Sequence, residues 1–286
     1  MRETAEAQVN LCLEVTGKLE DGYHGVRGVM QSLAFGDTVE LEPGTGPWRV
    51  NSNLSYLPAG KDNLAARAAE LFHRLTGLGP EGGVITLDKR IPVCGGFGGG
   101  SSDAAAVLRL LNREYGSPLS WEELEECSLE LGADVPFCIR GGTALAEGKG
   151  EVLTPLPDLV GANLVLCRPD FLCSTKELFK AIDRLRLRLK PDIPGIVRAV
   201  EEGDLSGVAR RMFNVFESAL SRSQAQQVDT LKSRLVDAGA LGAAMTGSGS
   251  GVFALFGDGE TAAAAARDLR ASGIPAEHTV TVPRLK

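Results

Sequence analysis

Several kinds of protein are excluded by what this 286-residue chain does not contain. No apolar stretch reaches 18 residues, so no membrane span is expected. The six cysteines, Cys12, Cys94, Cys127, Cys138, Cys167 and Cys173, include no C-x-x-C pair. A chain of this length needs no disulfide framework, so reduced thiols and a cytoplasmic setting are expected. Residues 1–7 lack the basic-then-apolar pattern of a secretory signal. Positive charge is not in excess either: 37 acidic against 30 basic side chains give a net charge of −7, which offers no global attraction to nucleic acid or to anionic membranes. The alternating Arg184, Arg186, Arg188 and Lys190 read as a solvated face. The expected partner is a small molecule, with the chain acting as a monomer or homodimer. No G-x-x-x-x-G-K-[ST] occurs, and Gly96-x-Gly98 is followed by Ser101 where a third dinucleotide-binding glycine would stand.

What is present is a different glycine loop. Pro92, Val93, Cys94, Gly95, Gly96, Phe97, Gly98, Gly99, Gly100, Ser101 and Ser102 lead into an alanine-rich helical start, with five glycines among six residues. Glycine lets the backbone turn through positive φ and approach a ligand closely, while the first N–H groups of the following helix point outward at the positive end of its dipole. That combination suits an anion, above all a phosphate. Ser102 or Asp103 is expected to cap the helix, Val107, Leu108, Leu110 and Leu111 to form its core side, and Gly116 with Pro118 to stop it.

Around the loop, strands and helices alternate without a strict βαβ rhythm, which points to an α+β fold. Strands are expected at Val9–Val15, Val26–Leu33 and Thr38–Glu42, with turns at Asp21-Gly22 and Gly36-Asp37. Asp62 is the expected N-cap of a helix ended by Gly77, and Val84–Leu87 a strand that leads into the loop. Ser120-Trp121-Glu122-Glu123 reads as a capping box opening a helix that closes at Gly132. Pro155, Pro157 and Gly161 mark a boundary, giving domains 1–158 and 159–286. Beyond it are expected a strand at Asn163–Cys167, helices at Thr175–Leu187, Asp192–Glu202 and Leu220–Ala238, strands at Ala243–Met245 and Val252–Phe256, and a last helix at Thr261–Ser272.

Three further segments could carry chemistry. Thr246, Gly247, Ser248, Gly249, Ser250 and Gly251 form a second glycine turn that either wraps a ligand phosphate or closes a hairpin. Asp134 lies among Ala133, Val135 and Phe137, with Pro136 expected to hold Val135 extended. A carboxylate in such surroundings is either a turn former or a partly desolvated general base. Tyr23 and His24 stand side by side after the Asp21-Gly22 turn.

Taken together and in order, these segments resemble the GHMP kinases, the family of galactokinase, homoserine kinase and mevalonate kinase. Pro92–Ala106 is similar to the family's central P-x-x-x-G-L-G-S-S-x-A motif, and Met245–Phe253 to its C-terminal glycine motif. The resemblance implies a two-domain α+β fold, with an N-terminal domain like ribosomal-protein S5 domain 2, a ferredoxin-like C-terminal domain and an active site between them. Asn10-Leu11-x-Leu13, Asp21-Gly22-Tyr23-His24, Met30-Gln31-Ser32, Gly98-Gly99-Gly100-Ser101-Ser102-Asp103-Ala104-Ala105 and Gly132-Ala133-Asp134-Val135-Pro136-Phe137 narrow it to one branch. That branch uses ATP and Mg²⁺ to phosphorylate the 2-hydroxyl of 4-diphosphocytidyl-2-C-methyl-D-erythritol, a small molecule carrying a cytidine diphosphate group, in non-mevalonate isoprenoid precursor synthesis.

By that resemblance Pro92–Ser102 and the turn Thr246, Gly247, Ser248, Gly249 hold the nucleotide, and Asn63 lies near its adenine. Ser102 is the expected Mg²⁺ contact and Asp134 the base. Tyr23 and Phe179 would sandwich the cytosine while His24 reads its edge, with Asn10 and Thr175 holding the rest. The departures from the family are Glu6 for a proline, Gln8 for a lysine and, less weightily, Cys94 in the loop and Phe97 for a leucine; Gln8 bears most on the chemistry. Where relatives have P-A-K-[IVL]-N-L, this chain has Glu6-Ala7-Gln8-Val9-Asn10-Leu11, so Gln8 replaces a lysine. Glutamine brings no charge to the transferring phosphoryl group or to Asp134, and slow turnover is expected. The alternatives are another GHMP small-molecule kinase or a catalytically inactive nucleotide-binding homologue.

Overall fold

Long antiparallel strands need alternating side chains that one face can bury, and the first 44 residues supply them. In the computed structural model, which describes residues 1–185 and 189–286, β1 (Arg2–Lys18) and β2 (His24–Gly44) pair along almost their whole length. The expected turn at Gly36-Asp37 is therefore not a turn: β2 runs straight through it. Gly36 is there because a Cβ would overlap the carbonyl of Ala5 across the ladder, beside the bulge at Glu6 and Gln8. Asp37 is fully buried and used for its charge.

The first half continues with β3 (Arg49–Ser52), α1 (Leu64–Thr76), β4 (Gly82–Asp88), α2 (Gly99–Glu114), α3 (Trp121–Ser128), α4 (Val135–Arg140), β5 (Thr143–Glu147) and β6 (Val152–Pro155). The second half contributes β7 (Asn163–Cys167), α5 (Thr175–Ile182), α6 (Ile193–Glu201), α7 (Leu205–Arg211), the two-residue β8 (Phe213–Asn214), α8 (Arg222–Asp237), β9 (Gly242–Met245), β10 (Val252–Phe256), α9 (Gly259–Ala271) and β11 (Ala276–Val280). The segments β3, β5, β6, α7 and β11 were not expected, and α4 replaces an expected extended stretch. Pro136 falls in the first turn of α4, where proline is tolerated because that N–H has no helical partner. Arg186, Arg188 and the end of the helix expected through Leu187 lie outside the described residues.

One sheet has the order β3-β4-β2-β1-β8, with β5 and β6 paired off β2. The other has the order β11-β7-β10-β9, antiparallel throughout. Its strands and helices follow the β-α-β-β-α-β pattern of ferredoxin-like domains. The expected boundary after residue 158 falls between β6 and β7, yet several contacts cross it. β8 joins β1 in parallel, and the N–H groups of Val282 and Leu285 donate to Ser32 and Arg140. A shared core packs Val9, Leu11 and Leu33 against Leu164, Ile196, Phe253 and Leu255. Burying such residues is worth about 1.5–3 kcal/mol each, so the two halves form a continuous floor for whatever lies between them.

Candidate active site

The glycine loop leaves β4 and enters α2 through Gly98, which takes a left-handed φ of 74° as the helix N-cap. The cap expected at Ser102 or Asp103 is thus several residues too late, because both lie inside the helix. Within α2 the helical bonding starts with Ser102 N–H donating to the Gly98 carbonyl. The first turn carries no acidic side chain, so the dipole's positive end is not neutralised and can receive an anion. The loop lines a cavity of about 410 Å³ together with Asn63, Lys89, Cys173, Thr175, Ser248 and Gly249. Asn63, not Asp62, caps α1 through its side-chain oxygen and Ala65 N–H.

Close approach of the two glycine turns fixes the loop. At Gly96 a Cβ would overlap the Thr246 carbonyl oxygen, and at Gly251 it would overlap the Gly95 carbonyl. Gly251 N–H donates to that Gly95 carbonyl at 2.9 Å, and Asn10 Oδ1 accepts from Gly247 N–H at 3.1 Å. Thr246 is fully buried, its hydroxyl accepting from Asn10 N–H and donating to Gly96. The second turn is consequently a hairpin that buttresses the first, and only Gly247, Ser248 and Gly249 reach open space.

Beneath the loop a buried cation holds two carboxylates. Lys89 Nζ donates to Asp37 and, at 2.6 Å, to Asp103, while the N–H groups of Arg90 and Ile91 donate to the other Asp37 oxygen. Burial pushes the Asp103 carboxyl up to about 7 against the pull of the Lys89 ammonium. Burial also opposes the charge on Lys89, but Asp103 and Asp37 outweigh it and leave that pKa above the ordinary lysine value.

A second, larger cleft of about 850 Å³ adjoins the first, with Ser101, Thr175 and Ser248 lining both. Its walls include Asn10, Tyr23, His24, Asp134, Lys149, Phe179, Asp183 and Phe216. Thr175 and Ser248 are joined by a 2.6 Å hydroxyl contact. Asp134 is the N-cap of α4 but caps nothing with its side chain. The residue is open to solvent on the cleft side, and the protein packed behind it raises its pKa by desolvation. Among the described residues no salt bridge or side-chain hydrogen bond to this carboxyl offsets that rise. Gln8 is buried under the loop, its N–H bonded to Phe97 and its Oε1 accepting weakly from the Cys138 thiol at 3.7 Å. A Cβ on Gly98 would collide with its amide.

Residues 63–142 match the GHMP kinases N terminal domain and residues 196–274 the GHMP kinases C terminal domain. The chain is 40% identical to 4-diphosphocytidyl-2-C-methyl-D-erythritol kinase of Clostridium botulinum (strain Kyoto / Type A2) over 259 residues, 90% of this chain and 91% of that one. The chain belongs to the GHMP kinases. Among solved structures it is similar to a 4-(cytidine 5'-diphospho)-2C-methyl-D-erythritol kinase, with a TM-score of 0.81 and 33% identity over 98% of this chain and 99% of that one. A homoserine kinase from Cytophaga hutchinsonii shares the fold, with a TM-score of 0.74 at 21% identity over 99% of this chain and 95% of that one.

As a GHMP kinase the chain is a phosphotransferase with an alcohol acceptor, and the expected site residues can be placed in it. Residues 92–101, Asn63, Ser248 and Gly249 line the smaller cavity, whereas Gly247 lines only the larger cleft and Gln8, Ser102 and Thr246 line neither. The Ser102 hydroxyl donates to the Glu6 carbonyl, so Ser101 is the hydroxyl presented to the cleft. Asn10, Tyr23, His24, Asp134, Thr175 and Phe179 line the larger cleft. Tyr23 and Phe179, the pair expected to sandwich the cytosine, line the same cleft. Phe179 stacks on His24 with centroids 4.6 Å apart, and Lys149 Nζ lies 4.4 Å from the centre of the exposed Tyr23 ring while bonding Asp21. Lys89, Asp183 and Phe216 escaped the sequence reading. The Asp103 spacing inside α2 could have pointed to a buried partner cation; nothing local marks the others.

Proposed function

We propose that this kinase transfers the γ-phosphoryl group of ATP to the 2-hydroxyl of 4-diphosphocytidyl-2-C-methyl-D-erythritol in the cytoplasm. The observation that carries the reading is the junction of the two cavities at the N-terminus of α2, where Ser101 faces both and Asp134 faces the acceptor side only. The relatives at 40% and 33% identity support the choice of acceptor.

In this reading the free N–H groups of the loop and of the first α2 turn hold the triphosphate, and Asn63 lies by the adenine. The acceptor's cytosine lies against Tyr23 and the His24–Phe179 stack, with Asn10 and Thr175 along the remainder. Asp134 accepts the hydroxyl proton as the oxygen attacks phosphorus and the bond to ADP breaks. Phosphoryl transfer asks mainly for positioning and neutralised charge. Mg²⁺ would supply part of that neutralisation when bound. Ser101, which lines both cavities, would be its protein contact, with phosphate and water as the other ligands.

Gln8 bears on the rate in this scheme only as the uncharged residue at the family's lysine position, buried under the loop and lining neither cavity. The neutral amide leaves Asp134 without a charge partner, so the base is well suited to take a proton while the phosphoryl charge is less well stabilised. Incubation with ATP, Mg²⁺ and the cytidine-diphosphate acceptor, followed by ADP release and ³¹P NMR of the product, tests the proposal. Phosphorylation of this acceptor, and not of homoserine, supports it. ADP release that is unchanged when acceptor is omitted, or ATP binding without turnover, contradicts it.

A further inference from the structure

The Asp183 carboxylate in the acceptor cleft has no part in the scheme above. Asp183 caps the C-terminal end of α5, and its Oδ1 lies 2.7 Å from Nε2 of His24, 159 residues away in the chain. An ionised carboxylate can only accept, so Nε2 carries the proton. Packing holds the plane of the ring. It stacks on Phe179 with planes 16° apart, Phe179 is braced edge-on by Phe216 at 5.0 Å, and the His24 side chain is only 12% exposed. In a neutral imidazole protonated at Nε2, the other nitrogen is an acceptor. No hydrogen-bond partner for Nδ1 occurs among the described residues.

We propose that Asp183 is a positioning residue that sets the base specificity of the cleft, by holding the tautomer in which His24 Nδ1 accepts. An accepting nitrogen takes an N–H from the exocyclic amine of cytosine, whereas the corresponding carbonyl of uracil would meet it lone pair against lone pair. The inference rests on the reading of the cleft as a cytidine-diphosphate site. At Asp183→Asn the amide can either accept from or donate to Nε2, so both tautomers become available and the discrimination is lost.

Two measurements on the full chain test this. With three histidines in the chain, long-range ¹H–¹⁵N correlation at pH 8 resolves the tautomer, and the His24→Gln spectrum identifies its signals. The expected result is a protonated Nε2 and bare Nδ1, changing to a mixture in Asp183→Asn. The second readout is the kcat/KM ratio between the cytidine-diphosphate acceptor and its uridine analogue. Losing one well-placed hydrogen bond should lower that ratio about 10- to 100-fold in Asp183→Asn, mostly through KM, with partial recovery in Asp183→Glu. A protonated Nδ1 in the wild-type chain overturns the proposal, as does an unchanged ratio in a variant that melts like the parent. A wild-type chain that phosphorylates neither analogue overturns the reading of the cleft, and the specificity with it. A wild-type chain that phosphorylates the cytidine compound while Asp183→Asn keeps the preference overturns the role of Asp183 alone.

Discussion

The nucleotide-side cavity and the acceptor-side cleft meet at one helix end but are built by opposite means. The first draws about half of its wall from one run of chain, residues 91–101, whose backbone would do the binding in the proposed function. The second gathers single side chains from Asn10 to Ser248, across both halves of the fold. Backbone recognition depends on local conformation, so its features are contiguous in sequence. Side-chain recognition depends on topology. In the proposed function that division also separates binding from chemistry, because Asp134 faces the cleft and not the cavity.

The largest expected effect breaks the comparison on the cleft side. Asp134→Asn should lower kcat by about 10²- to 10⁴-fold and leave ATP affinity by calorimetry nearly unchanged; an equal fall in both would mean the two regions do not act separately. The base must be ionised, and the protein packed behind it raises its pKa by desolvation. The rate should therefore fall with decreasing pH through a limb above the ordinary aspartate range, and Asp134→Asn should lose that limb.

Breaking the floor of the nucleotide side should cost stability instead. Lys89→Met leaves Asp37 and Asp103 buried without their cation, a loss of about 3–5 kcal/mol to be read from urea unfolding at pH 7. The pH dependence carries a sign. Asp103 is raised from 3.8 to about 7 on folding, so its contribution is fully present below the unfolded value and is lost as pH rises through the folded one. Unfolding free energies measured between pH 4 and 8 check the direction.

Gln8→Lys sharpens the comparison from the buried side of the loop. One preorganised charge is typically worth about 10² to 10³ in rate, so kcat should rise by that amount and the acid limb should move to lower pH as Asp134 gains a partner. Unchanged kcat would show that Gln8 is not what limits turnover. The smallest effect is expected at Gly96→Ala, where a Cβ meets the Thr246 carbonyl at a φ of 77°. Strain of about 1–3 kcal/mol should weaken ATP binding about 10-fold, with the acceptor's KM little altered.

The same contrast explains how much could be read in advance. The glycine loop, the capping box at Ser120 and the strand Asn163–Cys167 are local patterns and occur where periodicity and turn chemistry put them. Gly36 misled because a glycine needed for close approach across a ladder looks the same in sequence as one needed for a turn. Pro136 misled because a proline in the first turn of a helix looks like one that forbids it. Short edge strands such as β3 and β11 exist only because a neighbouring strand pairs with them. In the cleft, the family motifs supplied Tyr23, His24, Asp134 and Phe179. The Phe179 stack on His24 and the carboxylate of Asp183 arise from packing between elements more than 150 residues apart.

The account stands most directly on the fate of the phosphoryl group. ³¹P NMR of a reaction containing ATP, Mg²⁺ and 4-diphosphocytidyl-2-C-methyl-D-erythritol should show ADP and a new phosphate monoester at the 2-position in equal amounts, with neither formed by Asp134→Asn on the same timescale. ADP without the monoester, or a monoester formed equally fast by Asp134→Asn, would contradict it.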